Sequence, residues 1–333
     1  MAEYINIKGQ NIEVVASDPA NPTIGQIWYN STSNTLKGLD LTTTATFASA
    51  PGLNTSRYFV GGAGTQTAAL IFGGGPGAST VTEEYDGSTW TTSPGTMSTG
   101  RSQLAGAGTQ IAGLGFGGGP PITGATEEYN GTSWTTSPGS MVSGRRYFAG
   151  CGTQTAALSG SGATADPYTS NVTNTFEVYD GTSWTSTTSS PTAKVLPGLS
   201  GTQTAALQSG GFYPDNYTTS EEFDGSTWTA GGTMNVGRRS HQAFGSQTAA
   251  VITGGETPGG VVATTEIYDG TSWTTSTSQP GRRIYGASAI VGTNTAGLIM
   301  GGENPDTSPQ LSSPTSVEWT GAGAPQTRTI TAS

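Results

Sequence analysis

From residue 47 onward the chain runs in short apolar stretches of four to six residues, each closed off by Gly, Asp, Asn, Ser or Thr. The first set reads as four strands: Arg57 to Gly62, Thr67 to Phe72, Thr82 to Tyr85 and Thr89 to Thr92. A Gly-Thr-Gln turn joins the first pair, and Asp86-Gly87 is a hairpin signal joining the last. The first two strands are small and apolar on both faces, as in Ala68-Ala69-Leu70. Strands buried on both sides read this way, and Ala with Gly suits close stacking of sheet on sheet.

The set recurs, and the recurrence decides the architecture. Gly-Thr-Gln-Thr-Ala-Ala-Leu begins at Gly64, Gly152 and Gly201, with variants at Gly108, Gly245 and Gly292, so six copies are spaced by 44, 44, 49, 44 and 47 residues. A second phrase, an aromatic residue, Asp or Asn, Gly, two hydroxyl residues and Trp, follows five of them. It ends at Trp90, Trp134, Trp184, Trp228 and Trp273, and it degrades in the sixth, where Trp319 stands at the Tyr position. A four-stranded unit of this size cannot bury both faces alone, whereas six stacked in a ring do so and protect most edges. The pattern predicts an all-β, six-bladed propeller of four-stranded blades. Its repeats run at about 57–100, 101–144, 145–193, 194–237, 238–281 and 282–333. Phe47 to Arg57 parallels Trp90 to Arg101 in layout, so residues 41–56 are expected to help close the ring, with Thr42 to Ala48 pairing on the last blade.

A Gly pair, then Glu-x-Tyr-Asp, then Trp, then Gly-Arg before the next unit resembles the kelch repeat. The Gly pairs are Gly73-Gly74, Gly117-Gly118, Gly254-Gly255 and Gly301-Gly302, and Gly-Arg stands at Gly100-Arg101, Gly144-Arg145, Gly237-Arg238 and Gly281-Arg282. The resemblance covers about residues 47 to 333 and implies architecture only, since such propellers host unrelated functions. Residues 1–40 lie outside the repeats. Pro19 and Pro22 break the chain there, and Ile27 to Asn30 with Thr35 to Gly38 reads as a small β-hairpin extension. The run from Asp18 to Gly38 resembles short modules that precede repeat domains in tail and appendage proteins of marine phages. That resemblance implies a virion component (tail, fibre or surface appendage) made in a host bacterial cytoplasm. Residues 1–40 would then anchor to other virion proteins and form homo-oligomers, while the propeller serves host attachment or protein binding.

Composition narrows the classes. With 52 Gly and 58 Thr the chain leans toward low complexity, yet only 10% of residues are charged, and seven Trp, twelve Tyr and nine Phe supply apolar bulk. A net charge of −10 with 12 basic residues argues against nucleic acid as a partner. No run approaches the length of apolar residues a membrane-spanning helix needs, so no membrane insertion is expected. The start carries Glu3 and no apolar secretory region. One cysteine, Cys151, and one histidine, His241, leave no disulfide framework and no Cys- or His-cluster metal site, and no cofactor is expected.

Two readings compete for the recurring charges. Arg57, Arg101, Arg145, Arg146, Arg238, Arg239, Arg282 and Arg283 could ring one mouth and hold an anionic sugar, or they could pair with Glu84, Glu128, Glu177, Glu222, Glu266 and Glu318 between neighbouring blades, with Arg57, Arg101, Arg145, Arg238 and Arg282 as the structural set. Repetition in nearly every unit favours the structural reading, for these arginines and for the five phrase-ending tryptophans; Lys194 interrupts the arginine series. The Asp-Gly phrase departs from the Asp-box of sialidases, because Asp and Gly are adjacent and a tight turn explains both. Copper oxidases of the kelch class use two His and a Tyr–Cys crosslink, which this chain lacks. No catalytic residue is predicted. Binding is read from what varies instead. The connection Ser161 to Asn174 carries Asp166 and Tyr168, and Gly211 to Thr219 carries Phe212, Tyr213, Asp215 and Tyr217. With Asn304 to Ser316 these loops are expected to share one rim, whose aromatics suit a host-surface glycan or receptor. The leading expectation is a non-enzymatic virion interaction protein; the alternatives are a free lectin-like propeller and, third, a glycan-active enzyme with its site at the ring mouth.

Overall fold

The computed structural model describes residues 12–42, 44–289, 292–305, 311–323 and 325–330. Two compact units emerge, one of residues 46–319 and one of residues 1–45 with 320–333. In the larger unit the described residues form six four-stranded blades, five of them each made by one repeat. Blade 1 is Gly61–Thr65, Ala68–Phe72, Thr82–Tyr85 and Trp90–Thr92, paired in chain order. Blades 2 to 5 follow the same order, with innermost strands Ala105–Thr109, Ala149–Thr153, Gly198–Gly201 and Gln242–Ser246. Each innermost strand touches that of the next blade, and blade 6 returns to blade 1. The result is an all-β, six-bladed propeller.

Glycine permits the close approach at the axis. A Cβ on Gly106 would lie 2.4 Å from the Gly62 carbonyl oxygen of the neighbouring blade. The Asp-Gly hairpins behave as their chemistry requires: Asp86 accepts from the backbone and hydroxyls of Ser88 and Thr89, and Gly87 takes φ +90°.

Closure joins the two ends of the larger unit. Blade 6 consists of Ala287–Ser288, Ala296–Met300 and Ser316–Thr320, completed on its outer edge by Thr46–Ala50. The closing strand lies a few residues beyond the expected Thr42 to Ala48, because Phe47 is the residue that packs on Trp319, with ring centroids 4.8 Å apart. The innermost strand of blade 1 likewise starts at Gly61 rather than Arg57. Arg57 turns its side chain into the blade, and Phe59 has φ +51°, which a strand cannot carry.

The smaller unit differs from the expected 1–40 segment, whose residues 1–11 lie outside the described residues. Its sheet runs Glu13–Val15, Ile27–Asn30, Thr35–Leu41 and then Pro325–Thr329, so the chain's last strand belongs here and not to the propeller. A lone two-stranded hairpin is marginal in water, and the added strand satisfies its edge. Asp18 organises the hairpin, accepting from Trp28 Nε1 (3.0 Å) and Asn30 Nδ2 (2.8 Å) and pairing with Lys37 (2.7 Å).

Within each blade a buried cation pairs with a carboxylate on the third strand. The pairs are Arg57–Glu83 (2.8 Å), Arg101–Glu127 (2.7 Å), Arg145–Glu177 (2.5 Å), Lys194–Glu221 (2.6 Å) and Arg238–Glu266 (2.6 Å). This corrects the expectation of pairing between neighbouring blades and its partners Glu84, Glu128 and Glu222. It also corrects Arg282, which is exposed; Arg283 is the buried residue in register. The outward glutamates join blades by another bond. Glu84, Glu128, Glu222 and Glu318 accept from the phenols of Tyr129, Tyr179, Tyr268 and Tyr85 on the next blade. Where the glutamate becomes Val178, the facing tyrosine becomes Phe223, and the two pack in one apolar cluster. The repeated glutamine is a second clip: Gln110 Nε2 donates to the Ala69 and Tyr85 carbonyls of blade 1, and Gln154, Gln203 and Gln247 repeat this around the ring. The tryptophans are a third, as Trp134 Nε1 donates to Thr82 (2.8 Å) and Trp184 Nε1 to Thr126 (2.9 Å).

Candidate functional site

The innermost strand of each blade is preceded, two residues after the buried cation, by a residue in the left-handed conformation. These are Phe59, Gln103, Tyr147, Leu196, Ser240 and Tyr285, with φ between +51° and +58°. Their backbones bond head to tail around one mouth of the ring. Phe59 N–H donates to Tyr285 C=O (2.8 Å), Gln103 to Phe59 (2.8 Å), Leu196 to Tyr147 (2.7 Å), Ser240 to Leu196 (2.9 Å) and Tyr285 to Ser240 (3.3 Å). At the remaining position Arg146 reaches across to the Gln103 side chain (3.4 Å).

Side chains are costly here. Left-handed φ strains any residue but glycine, and such strain collects at functional sites. This chain spends 52 glycines elsewhere, many at positive φ, and places none at these six positions.

What the belt displays is largely aromatic. Phe59 packs on Tyr285 (centroids 4.0 Å), meets Tyr147 edge-on (5.4 Å) and touches Tyr58 (5.4 Å). Tyr168, from the blade 3 loop, extends the group by packing on Tyr147 (5.0 Å). All five residues are half-buried and so partly open to solvent. Burial pushes the Tyr285 phenol up to about 12. Cavities of about 100 and 110 Å³ lie at the belt and between the innermost strands, and His241 lines both.

Of the residues chosen from the sequence, Tyr168 joins this cluster. Asp166 pairs with Arg146, whose guanidinium lies over Tyr147. Phe212 sits beneath Arg239 (4.4 Å), which is itself paired with Glu256 (2.9 Å). Tyr213 and Asp215 occupy the exposed tip of the blade 4 loop, where Tyr213 N–H donates to Asp215 C=O (3.0 Å). Tyr217 folds back over Lys194 (5.2 Å). The loops do share the belt's face: bridges join Arg146 to Ala163, Val195 to Phe212 and Ile284 to Glu303. Residues 306–310 of the third loop lie outside the described residues. Tyr58, Phe59, Tyr147 and Tyr285 lie outside the set expected from the sequence, although the last three stand at a fixed distance, two residues after the buried cation.

The two singular residues are inward. Cys151 lies in an innermost strand, fully buried, and burial pushes its thiol far up, so it is not a reactive nucleophile. His241 is buried, with Nε2 3.1 Å from Ser209 Oγ. Burial, and then the neighbouring Arg238, hold its imidazole down at about 3. Between about pH 6.5 and 3 the unfolded chain therefore binds a proton that the folded chain refuses, and stability falls as pH falls. The slope is about 1.4 kcal/mol per pH unit below 6.5, so Tm should drop by roughly 3–4 °C from pH 7 to pH 5. His241→Gln should flatten that interval. Asp18, Asp86 and Asp180, lowered to about 2 by hydrogen bonds, act only in more acid solution. A wild-type Tm equal at the two pH values would contradict the assignment.

No protein-family model matches the sequence, and no curated protein matches it either. Among solved structures the chain is similar to one described as the structure of YjhT. The TM-score is 0.67 at 15% identity, over 84% of this chain and 99% of that one. Structural matches extend to 470 chains, so the likeness speaks for fold and not for a shared activity. In fold, the chain is a kelch-like β-propeller.

Proposed function

We propose that the protein is a non-enzymatic interaction protein whose belt face grips a glycan or protein surface, and that it serves as a phage virion component in a tail, fibre or surface appendage. The observation that carries the binding role is the set of six strained positions, all bearing side chains and grouping Phe59, Tyr147 and Tyr285 over the mouth. Half-buried aromatic faces stack well on sugar rings and on apolar side chains. The recurring charges are tied up within blades, which favours binding over chemistry at this face. The virion assignment rests on the resemblance of residues 18–38 to phage appendage modules, with the smaller unit as the anchoring element.

Two measurements test the reading. Full-length protein is screened on a glycan array and on host cells beside Phe59→Ala/Tyr147→Ala. Loss of two aromatic contacts should weaken binding about tenfold or more. Undiminished binding by a folded variant would move the site off the mouth. Mass spectrometry of purified particles should find the protein at stoichiometric levels; absence from particles, with glycan binding retained, would favour a free lectin.

A further inference from the structure

Among the described residues, five blades bury a carboxylate against their inner cation and blade 6 does not. Glu83 stands two residues before Tyr85, and the residue two before Trp319 is Val317. Arg283 keeps the carbonyl contacts of its sister residues, donating to Gly301 O (2.6 Å) and Thr315 O (2.7 Å), and adds Thr315 Oγ1 (2.6 Å). Among the described residues, no ion pair includes it. It is only 7% exposed, and burial holds its guanidinium down at about 10. A buried cation without a counter-charge is costly. Where the other blades place glutamate, there is a cavity of about 210 Å³, walled by Arg283, Thr315 and Val317, by Ser49 and Ala50 of the closing strand, and by Glu303.

We propose that this cavity binds a small monocarboxylate, whose carboxylate takes the place beside Arg283 that glutamate holds in the other five blades. An apolar cavity of about 150 Å³ accommodates benzene, so an acid of about six heavy atoms fits the volume. Besides Arg283 the wall carries one cation, Arg282, and one carboxylate, Glu303, so it adds no net positive charge to hold a second negative charge, which selects monoanions over sulfate or phosphate. Since Ser49 and Ala50 belong to the closing strand, the bound acid stabilises ring closure by mass action.

Full-length protein is melted at pH 7 in sodium acetate, in sodium sulfate and in sodium chloride of equal ionic strength. At acetate about tenfold above Kd, Tm should exceed the chloride value by roughly 2–4 °C, with a smaller rise in sulfate. Val317→Glu supplies the carboxylate internally; it should melt higher than wild type in chloride and lose the acetate response. Equal melting of wild type in acetate and chloride overturns the proposal. So does a Val317→Glu protein that responds to acetate like wild type, or a sulfate effect equal to that of acetate. Should Val317→Glu fail to fold, hydrogen exchange on wild type decides. Acetate-dependent slowing confined to Thr46–Ala50 and the residues around Arg283 supports the site, and unchanged exchange there overturns it.

Discussion

Replacing Arg101 by Met is expected to cost the propeller about 3–5 kcal/mol, read as a fall in Tm of roughly 5–9 °C. Arg101 is 1% exposed and serves three acceptors: the Gly117 carbonyl (2.8 Å), the Ala125 carbonyl (2.7 Å) and Glu127 (2.7 Å). Methionine fills much of the volume and answers none of them, so Glu127 is left charged in a site 2% exposed. Burying a carboxylate after its partner is removed costs more than the pair contributed, because desolvation is no longer offset. The double change Arg101→Met/Glu127→Leu should recover part of the loss but not all, since the two carbonyls still lack donors. Thermal unfolding of the three proteins distinguishes this from simple loss of packing. A single variant within about 1 kcal/mol of wild type would mean that the pair does not hold the blade together.

A comparably large loss is expected from five residues at the ring's seam. A chain beginning at Thr46 keeps the closing strand, whereas a chain beginning at Pro51 lacks it. The second should melt about 10 °C or more below the first. It forfeits the edge hydrogen bonds, at about 1 kcal/mol each, and the packing of Phe47 on Trp319, worth about 1.5–3 kcal/mol. It also leaves the edge of Ser316–Thr320 bare, which invites association of chains through that strand. Calorimetry with light scattering reads both effects. Equal melting of the two chains would show that the ring closes without its outer strand.

The number of blades was legible because a phrase like Gly-Thr-Gln, with its variants, cannot recur six times by chance, and because its glutamine has a job in each of the five copies that carry one. Registration within the repeat was less legible. Arg-Arg occurs at 145–146, 238–239 and 282–283; the first arginine is the buried one in blades 3 and 5, and the second in blade 6. The preceding glycine suggests Arg282, but burial follows distance to the innermost strand, which the left-handed Tyr285 marks. The mouth aromatics are hard to read from the sequence for a related reason. Phe59 and Tyr147 sit inside an apolar run that reads as strand, and only the backbone turn shows that they face outward. The strand Pro325–Thr329 has no pattern of its own; its partner, Thr35–Leu41, is almost the whole chain away. Exposed loop residues were easier to find, and of those only Tyr168 joins the belt's aromatic group.

The belt separates what holds the blades from what the mouth shows. Its links run from backbone to backbone at all but one junction, so the six side chains can be exchanged while those links persist. A library randomised at Phe59, Gln103, Tyr147, Leu196, Ser240 and Tyr285 should therefore yield mostly folded rings with altered preferences. This single face gives the scaffold room to diversify its grip, much as loops diversify on an antibody framework, without renegotiating its stability at each step.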